Sequence, residues 1–211
     1  MDYTQGRVAI RHDFGDADPA APTDRSAVVV PMTDRDVGGL AAERVLDSLS
    51  TLDLASVVVP IRAPADRLPA VLAWIRDFDI PLEPIWCNGP EVVDLLASHD
   101  LNGEAGKGRD VWLAMGLLEH VDFMAFHDAD VKSHETRDVR KLLSPLADGA
   151  SFSKGYYARV ENGRLYGRLF RLLYEPLVAT LGREHDAPII EYLGAFRYAL
   201  AGEFAMTTEL A

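Results

Sequence analysis

The sequence contains a single cysteine, Cys87, among its 211 residues. One thiol can form neither an internal disulfide nor a cysteine-based zinc cluster, so both kinds of stabilisation are excluded. No apolar run is long enough to span a bilayer. The first 25 residues also lack the charged-then-apolar pattern of a secretory signal. These absences predict a cytoplasmic protein without a membrane span.

Positive charge is scarce as well. The formal net charge is −12, and lysine occurs at four positions only: Lys107, Lys132, Lys141 and Lys154. Nonspecific nucleic-acid binding requires a cationic face against phosphate, so that function is not expected. The excess of acid is compatible with high salt, where screening weakens like-charge repulsion. It is equally compatible with a GC-rich genome that favours Arg, Ala, Asp and Gly.

Short, continuous apolar segments alternate with segments of helical periodicity over the first 130 residues. The predicted strands are 26–32, 55–61, 82–87 and 121–127, and the predicted helices are 39–52, 65–78, 89–99 and the latter part of 103–120. This alternation predicts crossover units and a mainly parallel sheet. Strands that are apolar throughout predict a sheet covered by helices on both faces, and hence an α/β fold.

The second half of the chain has a different pattern. Asn162 and Gly163 stand between two short β-prone runs, which predicts a hairpin. The segment 169–181 is helical up to Pro176, where a kink or a restart is expected. The remainder, 188–211, mixes short apolar pieces with glycines.

The apolar run 121–127 ends in three ionisable groups within four residues: His127, Asp128 and Asp130. In an extended segment or tight turn, residues two apart point the same way, so both carboxylates can face one ligand. Carboxylate oxygens suit hard cations such as Mg²⁺ or Mn²⁺. A solvated acidic turn is the alternative, and these residues alone do not separate the two. His127 is either a group that supports the site from behind the ligands or merely the last residue of the strand, and the second interpretation is favoured.

Three other segments carry groups that could bind anions or a nucleotide. The glycines around Lys107 in "GKGR" permit close approach of an anion to a helix start, although the segment is not a Walker loop; a glycine-rich helix lead-in is the alternative. The segment 31–36, "PMTDRD", follows the first strand and can meet a base or ribose, or Thr33 and Asp34 can cap the next helix. Arg168, after Gly167, can hold an acidic acceptor.

The segments "PMTDRD", "GKGRDVW", "FHDADV", "SKGYYARV", "GRLFRLLYEPLV" and "LAGEFAMTTEL" occur in an order that resembles one group of enzymes. These are the glucosyl- and mannosyl-3-phosphoglycerate synthases and the related mannosylglycerate synthases, retaining glycosyltransferases of the GT-A fold. The resemblance covers roughly residues 26–211. Its Asp-x-Asp and Gly-Lys-Gly elements are common among sugar transferases, whereas "KGYYARV", "GRLFRLLYEPL" and "LAGEF" are more specific.

The resemblance implies an organisation for the chain. Residues 1–25 would be a lead-in, 26–130 the nucleotide-sugar-binding half of one α/β domain, and 131–211 its acceptor-side half, truncated at the C-terminus. The family also has a metal-ligating histidine well downstream of the "GEF" turn, and the sequence stops at Ala211 before that region. The expected chain is therefore part of a GT-A enzyme with a mainly parallel central sheet and helices on both faces.

The resemblance also implies roles for individual residues. The nucleotide-sugar donor would be bound by Pro31, Met32, Thr33, Arg35, Lys107, Asp128, Leu200, Ala201 and Gly202. The metal, Mg²⁺ or Mn²⁺, would be ligated by Asp130 together with Asp128 and would bridge the diphosphate. Gly167 and Arg168 would receive the acceptor's phosphate or carboxylate. Glu203 is the predicted catalytic-site carboxylate, which would hold the hydroxyls of the sugar.

The implied activity is metal-dependent transfer of a hexose, with retention, from a nucleotide-diphosphate sugar to a small acidic acceptor such as glycerate or 3-phosphoglycerate. Compatible-solute synthesis is the implied context, and a homodimer is among the expected assemblies. The sequence departs from the family where Arg35 replaces an acid and where Phe170 replaces a threonine of the phosphoglycerate enzymes. A nucleotidyltransferase of related architecture and a non-catalytic nucleotide-sugar-binding domain are the alternatives.

Overall fold

The computed structural model describes residues 10–101, 103–156, 160–161, 164–165 and 169–211. A short 3-10 helix, Thr23–Arg25, precedes the first strand. The strands are β1 (Ser26–Val29), β2 (Met32–Thr33), β3 (Ser56–Arg62), β4 (Leu82–Trp86), β5 (Phe123–Phe126), β6 (Phe152–Lys154), β7 (Val160–Glu161), β8 (Arg164–Leu165) and β9 (Phe204–Thr207). The α-helices are α1 (Leu40–Ser50), α2 (Leu68–Ile75), α3 (Pro90–Ser98), α4 (Lys107–Met115), α5 (Thr136–Ala147), α6 (Glu175–Glu184) and α7 (Pro188–Ala195).

The central sheet is mainly parallel, as predicted. β1 pairs in parallel with β3 on one side and β5 on the other, and β4 pairs in parallel with β3. β9 pairs antiparallel with β5, and β6 follows β9 in the strand order. The carboxyl ends of β1, β3, β4 and β5 therefore lie at one edge of the sheet.

The first predicted strand, 26–32, is interrupted. β1 ends at Val29, and β2 then resumes pairing with β3. Pro31 stands between the two pieces and has no N–H to donate to the ladder, which explains why the pairing stops there. Val30 still donates its N–H to Val58 at 3.0 Å, so the backbone keeps its course across the break.

Helices cover both faces of the sheet, as the apolar strands predicted. On one face α1, α2 and α5 pack against side chains such as Val57, Val59 and Ala125. On the other face α4 packs against a smaller cluster that includes Val58 and Phe126. β1, β3, β4, β5 and β9 contribute to both clusters because successive side chains point to opposite faces.

α5 has a distinct reason to be helical. Its apolar residues Val139, Leu142, Leu143 and Leu146 recur at helical spacing and are all buried. Its start is closed by a reciprocal cap, in which Glu135 accepts from the backbone of Asp138 and the Asp138 side chain accepts from the Glu135 N–H at 3.0 Å. These contacts fix the helix directly after the carboxylate turn that follows β5.

The described residues form two compact units. The sheet unit comprises 16–153 and 203–211 and contains the central sheet except for the last residue of β6. The hairpin unit comprises the described residues of 1–15 and 154–202. In the hairpin unit β7 and β8 pair antiparallel, which fits the predicted hairpin, although its turn residues Asn162 and Gly163 lie outside the described residues.

The helical segment around Pro176 restarts rather than breaks. Residues Phe170–Tyr174 form a π-helical turn, and α6 follows directly with Pro176 in its first turn. Proline is tolerated there because its missing N–H would be unpaired at a helix start in any case. Across the part of the chain that the structure describes, no helix has the length and apolar character needed to cross a membrane.

Candidate functional site

The carboxylate turn that follows β5 is the centre of the candidate site. β5 ends at Phe126, and the N–H of His127 extends its pairing by one more bond, to Val29 at 3.0 Å. Asp128 then stands half-buried, Ala129 is buried and Asp130 is exposed. The buried His127 and Ala129 on either side of Asp128 hold the turn at the carboxyl edge of the sheet, where ligands bind in open α/β folds.

Lys107 brings a positive charge to this turn. It is the first residue of α4, directly after the helix cap Gly106, and its Nζ donates to Oδ1 of Asp128. α4 reaches the turn because it packs on the sheet face that carries Val58 and Phe126. The predicted donor-binding residues Lys107 and Asp128 are therefore in direct contact.

Two further carboxylates act on Lys107 through space. Burial lowers the pKa of Lys107, and the negative charges of Glu203 and Asp130 oppose that effect only in part. Glu203 immediately precedes β9, the antiparallel neighbour of β5, and is 8% exposed. Its Oε2 is buried and lacks a hydrogen-bond partner among the described residues. The structure thus gathers three acids, Asp128, Asp130 and Glu203, around one lysine.

The carboxylates of this turn fit a divalent cation that a ligand helps to hold. Within the described ranges, no group of three or more His, Cys, Asp or Glu side chains is arranged to bind a metal by itself. Mg²⁺ commonly takes one or two protein carboxylates and completes its shell with substrate phosphates and water. Asp130, exposed, and Asp128, two residues earlier, match that donor set.

The segment after the broken first strand forms a tight turn. Asp36 Oδ2 accepts hydrogen bonds from the N–H and the hydroxyl of Thr33, at 2.7 and 2.9 Å. The following helix begins at Leu40 with Gly39 as its cap, so the alternative that Thr33 and Asp34 cap that helix is wrong. The turn uses the N–H, the hydroxyl and the carbonyl of Thr33 internally, because the carbonyl also accepts from the Asp36 N–H at 3.1 Å.

The other residues predicted in this segment differ in exposure. The side chain of Met32 is 2% exposed and packs in the core, so it can offer a ligand only its backbone. Arg35 is exposed and Pro31 is half-buried. The roles of all of them as donor contacts stay predictions.

The remaining predicted residues lie outside the sheet unit or outside the described residues. Leu200, Ala201 and Gly202 belong to the hairpin unit, where the carbonyl of Ala201 accepts from Lys154 Nζ at 2.6 Å. Gly167 and Arg168, the predicted acceptor site, lie outside the described residues. Their assignments also stay predictions.

Sequence reasoning missed an ion pair beside the Lys107 turn. Arg62, the last residue of β3, donates from Nε to Oδ2 of Asp110 at 2.5 Å. Asp110 lies in the first turn of α4, its side chain is 2% exposed, and its Oδ1 has no hydrogen-bond partner among the described residues. The available signal was a charged residue, Arg62, at the end of an apolar strand, since a charged residue at the end of a strand also drew attention to Asp128.

Arg109 and Cys87 adjoin this ion pair. Arg109 donates to the carbonyls of Cys87 and Gly103, both at 3.3 Å, and so holds the loop before α4 against the end of β4. Burial raises the pKa of the Cys87 thiol to about 12, and the negative charge of Asp110 adds to the shift. Cys87 is therefore a packed, protonated side chain rather than a nucleophile.

The chain has relatives among known proteins. No protein-family model matches the chain. The chain is 32% identical over 233 aligned residues to a glucosyl-3-phosphoglycerate synthase from Methanococcoides burtonii, and 32% identical over 197 to one from Persephonella marina. These alignments cover 100% and 87% of the chain but 57% and 49% of the relatives, so the chain spans about half the length of the curated relatives it matches.

Solved structures of glucosyl-3-phosphoglycerate synthase from Mycobacterium tuberculosis share the fold. A complex of that protein with Mn²⁺, UDP and glucosyl-3-phosphoglycerate matches at a TM-score of 0.59 and 22% identity, covering 88% of this chain and 57% of that one. Its complex with Mg²⁺ and UDP matches at a TM-score of 0.60, with the same identity and coverage. The predicted GT-A fold is thereby confirmed. The chain has the fold of the glucosyl-3-phosphoglycerate synthases over the 88% of it that these structures cover, and its sequence matches about half of such an enzyme.

Proposed function

We propose that the chain carries the donor-binding part of a metal-dependent hexosyltransferase. The enzyme would move a sugar from a nucleotide-diphosphate donor to a small acidic acceptor such as glycerate or 3-phosphoglycerate. The observation that carries this proposal is the contact of Lys107 with Asp128, with Asp130 and Glu203 close enough to act on the same lysine. The sequence similarity to glucosyl-3-phosphoglycerate synthases supports it.

The residues of the cluster have distinct roles in this proposal. Asp130, helped by Asp128, holds the cation against the donor diphosphate. The bound cation supplies Lewis-acid stabilisation of the departing nucleoside diphosphate. Lys107 adds a second positive charge at the same turn, at the start of a helix whose N-terminal dipole also favours anions.

Glu203 is suited to hold the transferred sugar. Its Oε2 is a buried acceptor without a hydrogen-bond partner among the described residues. A buried acceptor is costly to leave unpaired, and sugar hydroxyls are donors that would satisfy it. Retention of configuration, with the acceptor hydroxyl attacking the face from which the diphosphate departs, rests on the family resemblance alone.

The identities of the donor nucleotide and of the acceptor are the most specific part of the proposal. The structurally similar Mycobacterium tuberculosis protein was solved with UDP-glucose, Mn²⁺ and phosphoglyceric acid, which makes this set the first to test. Arg35 replaces an acid of the family's nucleotide turn, so the preferred base has to be measured. Phe170 replaces a threonine that meets the acceptor's phosphate in the phosphoglycerate enzymes, so glycerate should be tested beside 3-phosphoglycerate.

A non-catalytic nucleotide-sugar-binding domain is the second candidate. It is favoured by one observation: the described residues supply two carboxylates on a single turn and no complete metal cluster. Both candidates bind a nucleotide sugar in the presence of metal, and only the enzyme transfers the sugar.

Calorimetric titration with UDP-, GDP- and ADP-glucose, each with and without Mn²⁺, tests the binding step. We expect one donor to bind with metal and to bind more weakly without it. Incubation of that donor with glycerate or 3-phosphoglycerate, followed by mass spectrometry, then separates transferase from binding domain. Failure of every donor to show metal-dependent binding would overturn the proposal, and release of pyrophosphate from a nucleoside triphosphate would favour the nucleotidyltransferase. A cytoplasmic location, a role in compatible-solute synthesis and a homodimeric assembly stay predictions.

A further inference from the structure

Two buried histidines stand at the two ends of the carboxylate turn. His127 precedes Asp128 and is 1% exposed, and His134 is 3% exposed. Nε2 of His134 lies 3.1 Å from Nδ1 of His127, within hydrogen-bonding distance, and the two rings are perpendicular. This contact, here called the histidine clasp, closes the loop of chain that contains Asp128 and Asp130.

The clasp lies behind the turn, on the opposite face of the sheet from Lys107. Along β5, Met124 and Phe126 point to the face covered by α4, and Ala125 points to the face covered by α1 and α5. Continued alternation directs His127 to the side of Ala125, where its partner His134 meets α1. The clasp therefore acts on the turn without touching the cluster around Lys107.

The clasp continues into α1 through Ser48, whose hydroxyl lies 2.7 Å from Nδ1 of His134 and donates to the Val45 carbonyl at 2.7 Å. Since a hydroxyl has one proton, His134 Nδ1 must donate to Ser48, and His134 Nε2 must accept from Nδ1–H of His127. The remaining nitrogen, Nε2 of His127, then carries no proton and keeps its lone pair. This direction of the hydrogen bonds, from His127 through His134 to Ser48, is the polarity of the clasp. Among the described residues, this polarity gives every donor of the network a partner, whereas the reverse would leave an N–H on Nε2 of His127 buried and unpaired, which native proteins rarely tolerate.

Burial keeps both rings neutral, as this polarity requires. Burial holds the pKa of His127 well below its usual range, and the neighbouring His134 lowers it further. Burial likewise lowers the pKa of His134, although Asp138 and Glu135 act in the opposite direction. Each ring therefore has one donor and one acceptor nitrogen, which is what a directional chain of hydrogen bonds needs.

Further contacts hold the same loop against α1. Arg44 Nη1 donates to the carbonyl of Lys132, inside the loop. Thr136, just beyond it, donates from its hydroxyl to the Ser48 carbonyl at 3.2 Å. The path from Asp128 to the start of α5 is thus anchored at several points on one helix.

We propose that His127, His134 and Ser48 are positioning residues, whose directional hydrogen bonds hold the Asp128–Asp130 turn in the geometry that receives a divalent cation with a nucleoside diphosphate. The proposal rests on the proposed function of the turn. Partners behind a metal ligand orient it, and losing one typically costs about tenfold or more in metal affinity.

A matched pair of variants at His134 tests the clasp. The amide of Gln reaches the place of the His Nε2 atom, so His134→Gln keeps an acceptor for Nδ1–H of His127. The amide of Asn reaches only the place of the Nδ1 atom, so His134→Asn keeps the Ser48 contact and loses the clasp. Thr51→Val serves as control, because it removes a hydroxyl contact of 2.9 Å between the C-cap of α1 and Thr136, the first residue of α5, outside the loop.

UDP is titrated into each full-length variant with and without Mn²⁺. We expect His134→Asn to weaken Mn²⁺-dependent UDP affinity by about tenfold. Thr51→Val should keep wild-type affinity, and His134→Gln should lose clearly less than His134→Asn, because Gln keeps the clasp and gives up only the Ser48 contact. The metal-free affinity should be unchanged in all three. Equal losses of Mn²⁺-dependent UDP affinity in His134→Asn and His134→Gln, or an equal loss of affinity with and without Mn²⁺, would overturn the proposed role of the clasp while leaving the proposed function intact. Absence of Mn²⁺-dependent binding in the wild type would overturn both.

Nitrogen-15 NMR of the imidazoles in the unliganded wild type tests the polarity without any ligand and without relying on the folding of a variant. We expect protons on Nδ1 of both His127 and His134, and an unprotonated Nε2 on each ring. Because such assignments rest on network geometry, direct observation of the nitrogens is decisive. A proton on Nε2 of His127 would contradict the inference whatever the titrations show.

Discussion

Replacement of Arg62 by methionine should destabilise the sheet unit by leaving a buried charge unpaired. Arg62 provides the one hydrogen bond found for the Asp110 side chain among the described residues, and Asp110 is 2% exposed. Methionine keeps the unbranched apolar stem and removes the guanidinium. The carboxylate of Asp110 then stays in the interior without a partner.

The structure sets the expected size of this effect. Breaking a buried ion pair by removing one partner costs about 3–5 kcal/mol. The side chain of Arg62 is 34% exposed, so water already screens part of the pair, and we expect the lower end of that range. Arg62→Met combined with Asp110→Leu should recover most of the loss, because an apolar pair of similar volume leaves no charge to solvate.

Urea unfolding followed by tryptophan fluorescence measures the change in the free energy of unfolding. All three tryptophans, Trp74, Trp86 and Trp112, lie in the sheet unit, so the signal reports on that unit. With a slope of about 2 kcal/mol per molar urea, a loss of about 3 kcal/mol moves the midpoint down by about 1.5 M. A single variant that costs less than about 1 kcal/mol, or a double variant no more stable than the single one, would refute the reasoning.

Three further predictions concern other side chains of the sheet unit. Lys107→Met should lower the free energy of unfolding by less than about 1 kcal/mol, because the pair of Lys107 with Asp128 is partly exposed. The same variant should bind UDP more weakly in calorimetry, and unchanged binding would contradict the role of Lys107 as a donor contact. Cys87 should resist a thiol reagent in the folded protein and react fully in urea, since it is buried with a raised pKa; rapid labelling of the native chain would be the opposite result. Folding lowers the pKa of His134, so the unfolded chain takes up a proton at a higher pH than the folded chain does. The neutral His134 therefore contributes fully to the free energy of unfolding above about pH 6.5. This contribution is lost below that pH at up to about 1.4 kcal/mol per pH unit. Urea midpoints at about pH 7.5 and about pH 5.5 should therefore differ less in His134→Gln than in the wild type, and an equal difference would contradict the assignment.

The sheet could be predicted from the sequence because its strands are local and apolar. Four strand segments with helical stretches between them indicated a parallel sheet with two covered faces, and the carboxylates after the fourth strand indicated a site at the carboxyl edge. The break at Pro31 was within reach of the same reasoning, since proline cannot donate to a ladder. Asp128 and Asp130 could be selected from the sequence alone because they directly follow a buried strand.

Two elements of the sheet unit were not predicted. α5 has clear helical spacing, but Pro145 in its last turn obscured it. β9 has only four residues, Phe204–Thr207, and such a short apolar run does not distinguish a strand from a loop. Its antiparallel pairing with β5 is a tertiary contact, yet it is what places Glu203 near Lys107.

The polar pairs of the site could not be predicted, because their members are distant in sequence. Arg62 and Asp110 are 48 positions apart, and Ser48 and His134 are 86 apart. Which side chains meet depends on strand register and on which face each helix covers. The sequence favoured His127 as the end of a strand over a supporting group, because its partner His134 comes from the far side of the turn.

Asp130→Ala, titrated with UDP in the presence and absence of Mn²⁺, tests the central claim most directly. Asp122→Ala is the matched control, because Asp122 precedes the same strand at its other end, where it pairs with Arg25 at 2.7 Å. We expect Asp130→Ala to abolish the gain in UDP affinity that Mn²⁺ provides and Asp122→Ala to retain it. Retention of the full Mn²⁺-dependent gain in Asp130→Ala would contradict the assignment of the turn as the metal and diphosphate site.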